Sequence, residues 1–218
     1  MEFILNIGPK VFLSLFLLSV LSSCATQKTN PLGLLFDHHG VAHVQEADSI
    51  QFTFHVQKPD KVVQRRWKWF PKTNRVHNLD EDVSFMLNAP TSEKEVSLNK
   101  IFTNDSYWLL FPFQLFQNPH SYSVEITRDV KSPIRDLKSD KFTIMYNGGG
   151  YTPNDIYELF VDPQSNEVVA WIYRKGGAKE ATKITTWEKT TSFKGFLIAQ
   201  EHNSKTPFRV WFSDIDVH

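Results

Sequence analysis

Cys24 is the only thiol in a chain of 218 residues, so any sulfur chemistry is confined to that one position. Disulfides within the chain and multi-cysteine zinc sites are excluded on that count alone. His39 and His43 lie four residues apart with His38 adjacent, a spacing that puts two imidazoles on one face of a helix and so within reach of a metal ion. No glutamate sits between them as in His-Glu-x-x-His and no third ligand is identifiable, so capping or solvated histidines are expected and no metal. Carboxylates able to do acid–base work gather at Asp155, Glu158 and Asp162. Asp155 and Asp162 flank turns, where aspartate is expected for backbone reasons. Glu158, between Tyr157 and Leu159 in a strand pattern, is expected to pair with Arg174 or Arg209 across the sheet. Asn147-Gly148-Gly149-Gly150 leads through Pro153 toward a strand, whereas a phosphate cradle opens a helix. It reads as a turn. There is no Gly-x-Ser-x-Gly elbow or other nucleophile motif, and the reading is of a protein that is not an enzyme and holds no cofactor.

Aromatic residues are the stronger signal. They make up 14% of the chain, with 18 Phe and 6 Trp, and aromatics favour strands and bury large areas. Lys61, Arg65, Arg66, Lys68, Lys72 and Arg75 interleave with Trp67, Trp69 and Phe70. Basic residues among aromatics can bind nucleic acid, but Arg66 and Lys68 alternate with the tryptophans and read as the solvated face of a strand. With 24 basic and 24 acidic residues, the net charge of zero gives no global pull toward nucleic acid, and no nucleic-acid partner is expected. The candidate ligand-binding group is Trp67, Trp69, Tyr107, Trp108, Phe111, Phe113, Tyr157 and Trp171. These residue types line an apolar pocket, and they also fill a solid core; both uses stay open at this point.

The elements that position these groups are mostly strands. Ile50, Phe52, Phe54 and Val56 alternate with Gln51, Thr53, His55 and Gln57, a half-buried strand. After the Pro59-Asp60 turn, Val63, Trp67 and Trp69 alternate with Gln64, Arg66 and Lys68, giving an antiparallel hairpin with one wet face. Weaker strands are expected at 83–87 and 95–98. Asn104-Asp105-Ser106 offers an N-cap to a short helix over 107–111 that Pro112 stops or kinks. Alternation returns at Tyr122, Val124 and Ile126 and again at Phe142, Ile144 and Tyr146. Residues 156–161, the turn 162–166 and residues 168–173 form the strongest hairpin signal. Strands are also expected at 184–189, 193–200 and 208–217, and Leu34, Val41 and Val44 carry helical spacing over 34–47. About ten strands in series with two short helices make a meander, not alternating βαβ units. Apolar residues on both faces of 156–173 require both faces to be covered, so the sheet must curl around something.

Toward the N-terminus, Lys10 precedes an apolar run over 11–21 broken only by Ser14 and Ser19, with small residues before Cys24, as in a secretory signal. That run is about half the ~20 residues that cross a bilayer. Leu21-Ser22-Ser23-Cys24 resembles the lipobox of bacterial lipoproteins. The resemblance implies cleavage before Cys24, diacylglycerol on its sulfur and acylation of its new amino group, so that the partner is a membrane. Ala25 stands where an aspartate would signal inner-membrane retention in some bacteria. The expected organisation is a signal peptide over 1–23, a lipidated tether over 24–32 and a single domain over 33–218, held in the outer membrane and facing the periplasm.

Gly149-Gly150-Tyr151-Thr152-Pro153-Asn154-Asp155-Ile156-Tyr157-Glu158-Leu159, Asp162-Pro163, Trp171-Ile172-Tyr173-Arg174-Lys175-Gly176-Gly177, Thr186-Trp187-Glu188 and Tyr107-Trp108-Leu109-Leu110-Phe111-Pro112-Phe113 together resemble an uncharacterised family of Gram-negative lipoproteins. An exported chain with an N-terminal helix, a long meander and a central aromatic helix is also similar to the LolA/LolB-type fold. That resemblance implies a mainly β (α+β) architecture: an antiparallel meander curled into an unclosed half-barrel, with short plug helices on a concave face able to hold acyl chains. Two functions follow as expectations: binding of a lipid or other hydrophobic ligand in the concave face, or an accessory envelope role in which the core is filled and an unknown protein is the partner.

Overall fold

The computed structural model describes residues 30–87, 89–148 and 153–218. The signal segment, Cys24 with its lipobox, the tether up to residue 29 and Gly149-Gly150-Tyr151-Thr152 lie outside the described residues. Helix α1 spans Pro31–His39, with Pro31 in its first turn and Gly40 closing it in the left-handed region at φ 61°. It therefore begins inside the stretch expected to be tether. A Cβ at Gly40 would lie 1.9 Å from the carbonyl oxygen of Gly195, so only glycine allows the chain to pass here. The single helix expected over 34–47 is consequently two pieces, α1 and a 3₁₀ segment Val41–Glu46. Leu35, Val41 and Val44 are buried, whereas Leu34 faces outward.

Strands β1 (Ile50–Lys58) and β2 (Lys61–Phe70) pair as the alternation requires, with Phe52 opposite Trp67 and Ile50 opposite Trp69. Ile50, Phe52, Phe54, Val56, Trp67 and Trp69 all point into the core. Strands β3 (Arg75–Asn78) and β4 (Val83–Met86) extend this sheet to one edge. Helix α2 (Glu93–Gln117) then leads to β5 (Tyr122–Lys131), β6 (Lys138–Tyr146), β7 (Ile156–Val161), β8 (Val168–Arg174) and β9 (Lys183–Thr186). Strands β10 (Glu188–Phe193), β11 (Phe196–Asn203) and β12 (Arg209–Val217) complete the chain.

All strand pairs are antiparallel, in two sheets ordered β10-β11-β12-β1-β2-β3-β4 and β5-β6-β7-β8-β9. The sequence pattern ran 184–189 together as one strand; the backbone instead turns the corner between the sheets at Trp187. There the Trp187 N–H donates to the Val169 carbonyl at 2.9 Å and the Asn203 N–H donates to Thr186 Oγ1 at 3.1 Å. β4 and β5 remain edges, and α2 is the connection between them. The result is an antiparallel meander bent into an unclosed half-barrel.

Helix α2 is longer than the segment its aromatics delimit. Its N-cap is Ser92, whose hydroxyl accepts from the Glu95 N–H at 3.2 Å. Residues 95–98, expected as a strand, form its first turns, and Asp105, expected as part of a cap, sits mid-helix with a fully buried side chain. Pro112 has no N–H for the Trp108 carbonyl, and the backbone leaves helical geometry at Leu110 (φ −140°, ψ 45°). The break re-aims the side chains, so one helix packs on both sheets. Phe102 meets Trp67 at 5.4 Å and Trp69 at 6.0 Å between ring centroids, and Phe113 meets Trp69 at 5.6 Å. On the second sheet Phe111 meets Tyr157 at 4.7 Å and Trp108 meets Trp171 at 4.6 Å. Each fully buried Phe contributes ~1.5–3 kcal/mol relative to exposure, so these rings hold the helix on the concave side. The two-sided pattern at 156–173 is covered on both sides: Tyr157, Leu159 and Trp171 face the helix, while Phe160 and Ala170 are buried on the opposite face.

A candidate ligand cleft between the sheets and the long helix

Where α2 departs from the sheets, the half-barrel leaves a cleft of about 620 Å³. Its aromatic wall is Tyr107 and Trp108 from α2 and Tyr157, Trp171 and Tyr173 from β7 and β8. Phe54, Val56 and Val210 close it from β1 and β12, and Phe208 and Tyr146 stand at its sides. The strand register explains the wall. Tyr157 lies directly opposite Tyr173, and Leu159 opposite Trp171, so inward positions of adjacent strands stack their rings. The Tyr157 and Tyr173 rings are 4.9 Å apart at 27°, an offset stack.

Four of the eight aromatics singled out from the sequence line this cleft: Tyr107, Trp108, Tyr157 and Trp171. Trp67, Trp69, Phe111 and Phe113 do not. They are buried in the packing between α2 and the sheets, each at 2% exposure or less. The α2 face carrying Phe102 and Phe113 therefore plugs the half-barrel, and the face carrying Tyr107 and Trp108 leaves it open.

Several polar groups of the wall are held by hydrogen bonds. Tyr107 and Tyr146 share a hydrogen bond at 3.2 Å between hydroxyls. Tyr173 donates to Asp155 Oδ2 at 2.9 Å, and Asp155 Oδ1 accepts the Gly176 N–H at 2.6 Å. Asp155 thus pins the β8 end and the following turn to the start of β7. Burial pushes the phenols of Tyr107, Tyr146, Tyr157 and Tyr173 above their ordinary range, so at neutral pH the wall carries no phenolate.

At one end Arg65, on β2, makes a two-pronged pair with Asp105 of α2: Nε to Oδ2 and Nη2 to Oδ1, each 2.7 Å. Trp67 Nε1 donates to the same Oδ2 at 3.0 Å and Asn104 Nδ2 to Oδ1 at 3.1 Å. Burial raises the Asp105 pKa, an effect that Arg65 opposes. The guanidinium also lies 4.6 Å over the Phe54 ring. Sequence reasoning missed this pair because Arg65 and Asp105 are forty residues apart, in segments with no shared pattern.

The remaining candidates resolve as local structure. Glu158 pairs with Arg174 at 3.1 Å and Lys141 at 3.5 Å on the face away from the cleft. Arg66, outward on β2, pairs with Asp80 at 2.7 Å. His39 is buried, its Nε2 accepting from the Val168 N–H at 3.4 Å, and desolvation lowers its pKa to about 3. His43 instead contacts Glu46 at the surface; the break at Gly40 separates two imidazoles that one continuous helix would have aligned. Tyr146, Tyr173, Phe208, Lys58, Lys100 and Lys183 were not singled out as site residues from the sequence, whereas Arg65 was, as part of the basic stretch among aromatics. For Tyr173 a signal existed, since it alternates with Trp171.

No family model matches the chain, and no curated protein matches it. Among solved structures it is similar to a LolA superfamily protein from Nitrosomonas europaea, with 11% identity and a TM-score of 0.49 over 87% of this chain and 94% of that one. It is similar also to a DUF1329 family protein from Desulfovibrio piger, with 9% identity and a TM-score of 0.46 over the same shares of the two chains.

Proposed function

We propose that this protein binds a lipid or other amphiphile in the cleft between the concave sheets and α2, while acyl chains on Cys24 hold it in the outer membrane. The observation that carries the reading is the cleft itself: about 620 Å³ walled by Tyr107, Trp108, Tyr157, Trp171 and Tyr173. That size lies within the ~300–1,000 Å³ of small-molecule sites, which pair mostly apolar walls with a few polar groups. Each methylene moved from water into such a wall contributes about 0.8 kcal/mol. Among the described residues, the lining side chains supply a surface for binding and no acid–base or nucleophilic pair, which favours a carrier over an enzyme.

The test uses the mature chain from residue 24 with Cys24→Ser, since the buried core runs from Leu35 to Val217. Organic extracts of the purified protein are analysed by mass spectrometry. Thr103, half-buried on the α2 wall, is changed to Trp to fill the cleft without removing a core ring. The expected result is a co-purifying amphiphile that Thr103→Trp loses while circular dichroism is retained. If the protein yields no extractable ligand and takes up no added amphiphile, the accessory reading replaces this one. The fully packed half around Trp67, Trp69 and Phe102 would then be the whole story of the core.

A further inference from the structure

The charged side chains among the described lining residues of this cleft are all of one sign. Lys58 at the end of β1, Lys100 on α2 and Lys183 at the start of β9 line it with Arg65, and among the described lining residues there is no aspartate or glutamate. Arg65 is already neutralised by Asp105. Lys58, Lys100 and Lys183 have no carboxylate within 4.0 Å among the described residues, whereas Lys72, Lys131 and Lys138 pair with Asp48, Asp136 and Asp129. The Lys183 ammonium is held 4.1 Å over the Phe208 ring, a cation–π contact that places a charge at the apolar wall. The two carboxylates hydrogen-bonded to lining residues, Asp105 and Asp155, are buried and committed to Arg65, Tyr173 and Gly176.

The chain as a whole has no net charge, so three free ammonium groups around one apolar cleft are a local arrangement. Low-dielectric walls focus the field of such groups into the cleft, and the one carboxylate bonded to the wall without a counter-cation, Asp155, is buried behind Tyr173. A cationic head would be repelled here. At ~30 Å³ for each water-sized group, the cleft holds about twenty such groups, enough for one long acyl chain with a small head.

Resting on the binding reading above, we infer that the ligand is a single-chain amphiphile with an anionic head, its chain on the Tyr107–Trp108–Trp171 wall and its head among Lys58, Lys100 and Lys183. The head and the chain are both required. The lysines alone are ordinary surface groups, and the wall alone does not select charge.

Titration calorimetry on the mature Cys24→Ser chain compares laurate, dodecanol and dodecyltrimethylammonium below their aggregation concentrations. In dilute buffer laurate should bind about ten-fold more tightly than dodecanol, and the cationic amphiphile most weakly. The advantage of laurate should shrink to about three-fold or less in ~0.5 M salt, because exposed charges are screened. Lys58→Gln/Lys100→Gln/Lys183→Gln should bring laurate to within about two-fold of dodecanol. Lys72→Gln/Lys131→Gln/Lys138→Gln, removing the same charge away from the cleft, should leave the laurate affinity as it was. Equal binding of laurate and dodecanol, unaffected by salt, would overturn this inference and leave the binding reading standing. Failure of all three amphiphiles would overturn the binding reading itself. Displacement of laurate by acetate at comparable concentration would show a site for free small anions and refute the amphiphile.

Discussion

Replacing Asp105 by Asn tests whether the buried pair on α2 holds the helix to the first sheet. Each carboxylate oxygen accepts two hydrogen bonds: Oδ2 from Arg65 Nε and Trp67 Nε1, Oδ1 from Arg65 Nη2 and Asn104 Nδ2. An amide keeps one of those oxygens and turns the other into a donor that faces two donors. The change therefore loses two hydrogen bonds, both accepted by a charged carboxylate and of the kind worth ~1.5–3 kcal/mol. It also leaves the Arg65 guanidinium without its counter-charge. Breaking a buried ion pair by removing one partner typically costs ~3–5 kcal/mol. Arg65 keeps 23% of its side chain exposed at the cleft, so water relieves part of the loss and the lower end, about 3 kcal/mol, is expected. That is roughly a 150-fold shift in the folding equilibrium at RT ≈ 0.59 kcal/mol. With a urea slope of about 2–3 kcal/mol per M, the midpoint should fall by about 1–1.5 M, read by tryptophan fluorescence. The double variant Arg65→Met/Asp105→Leu should recover most of that loss, because an apolar pair needs no counter-charge. A cost below ~1 kcal/mol for Asp105→Asn, or a double variant as unstable as the sum of its singles, would refute the reasoning.

Two further outcomes are expected. Burial lowers the pKa of His39 and of His202, each to about 3, so both stay neutral in the folded chain while the unfolded chain protonates them near pH 6.5. Stability is then complete above about pH 6.5 and lost as pH falls toward about 3, by up to ~1.4 kcal/mol per pH unit for each. Asp105, with its raised pKa, works in the opposite sense at the acidic end. Urea midpoints at pH 7, 6 and 5 should fall steadily, and His202→Gln should flatten the slope by about half; a level profile in the parent chain would contradict the assignment. For the anchor, Cys24→Ser should abolish acyl labelling and move the protein to the soluble fraction, since stable anchoring takes two or more chains at ~0.8 kcal/mol per buried CH₂. Firm membrane association of the unlabelled variant would rule the lipid anchor out.

The amino-acid sequence by itself determined most of the strands, because a period of two is a local property. Ile50, Phe52, Phe54 and Val56 alternate with polar residues, and each is buried on the side the alternation assigns. The hairpin at 156–173 was legible for the same reason, and so was the need to cover both its faces. The start of α2 was also written locally: Ser92-Glu93-Lys94-Glu95 has the pattern of a capping box, and Ser92 accepts the Glu95 N–H as that pattern implies, while the Glu95 carboxylate accepts from the Thr91 N–H one residue earlier. Its signal was obscured by the polar first turn, which has little apolar periodicity. Only the tertiary structure decided which aromatic residues are wall and which are core. Trp67 and Trp108 are the same residue type, yet one is sealed under Phe102 and the other borders the cleft. That distinction depends on where Leu110 breaks the helix and how far each sheet stands from it, distances that no local pattern encodes. The Arg65–Asp105 pair and the ring of Lys58, Lys100 and Lys183 are of the same kind. Each joins residues from separate segments, brought together by a sheet that bends at Trp187 and a helix that crosses inside it.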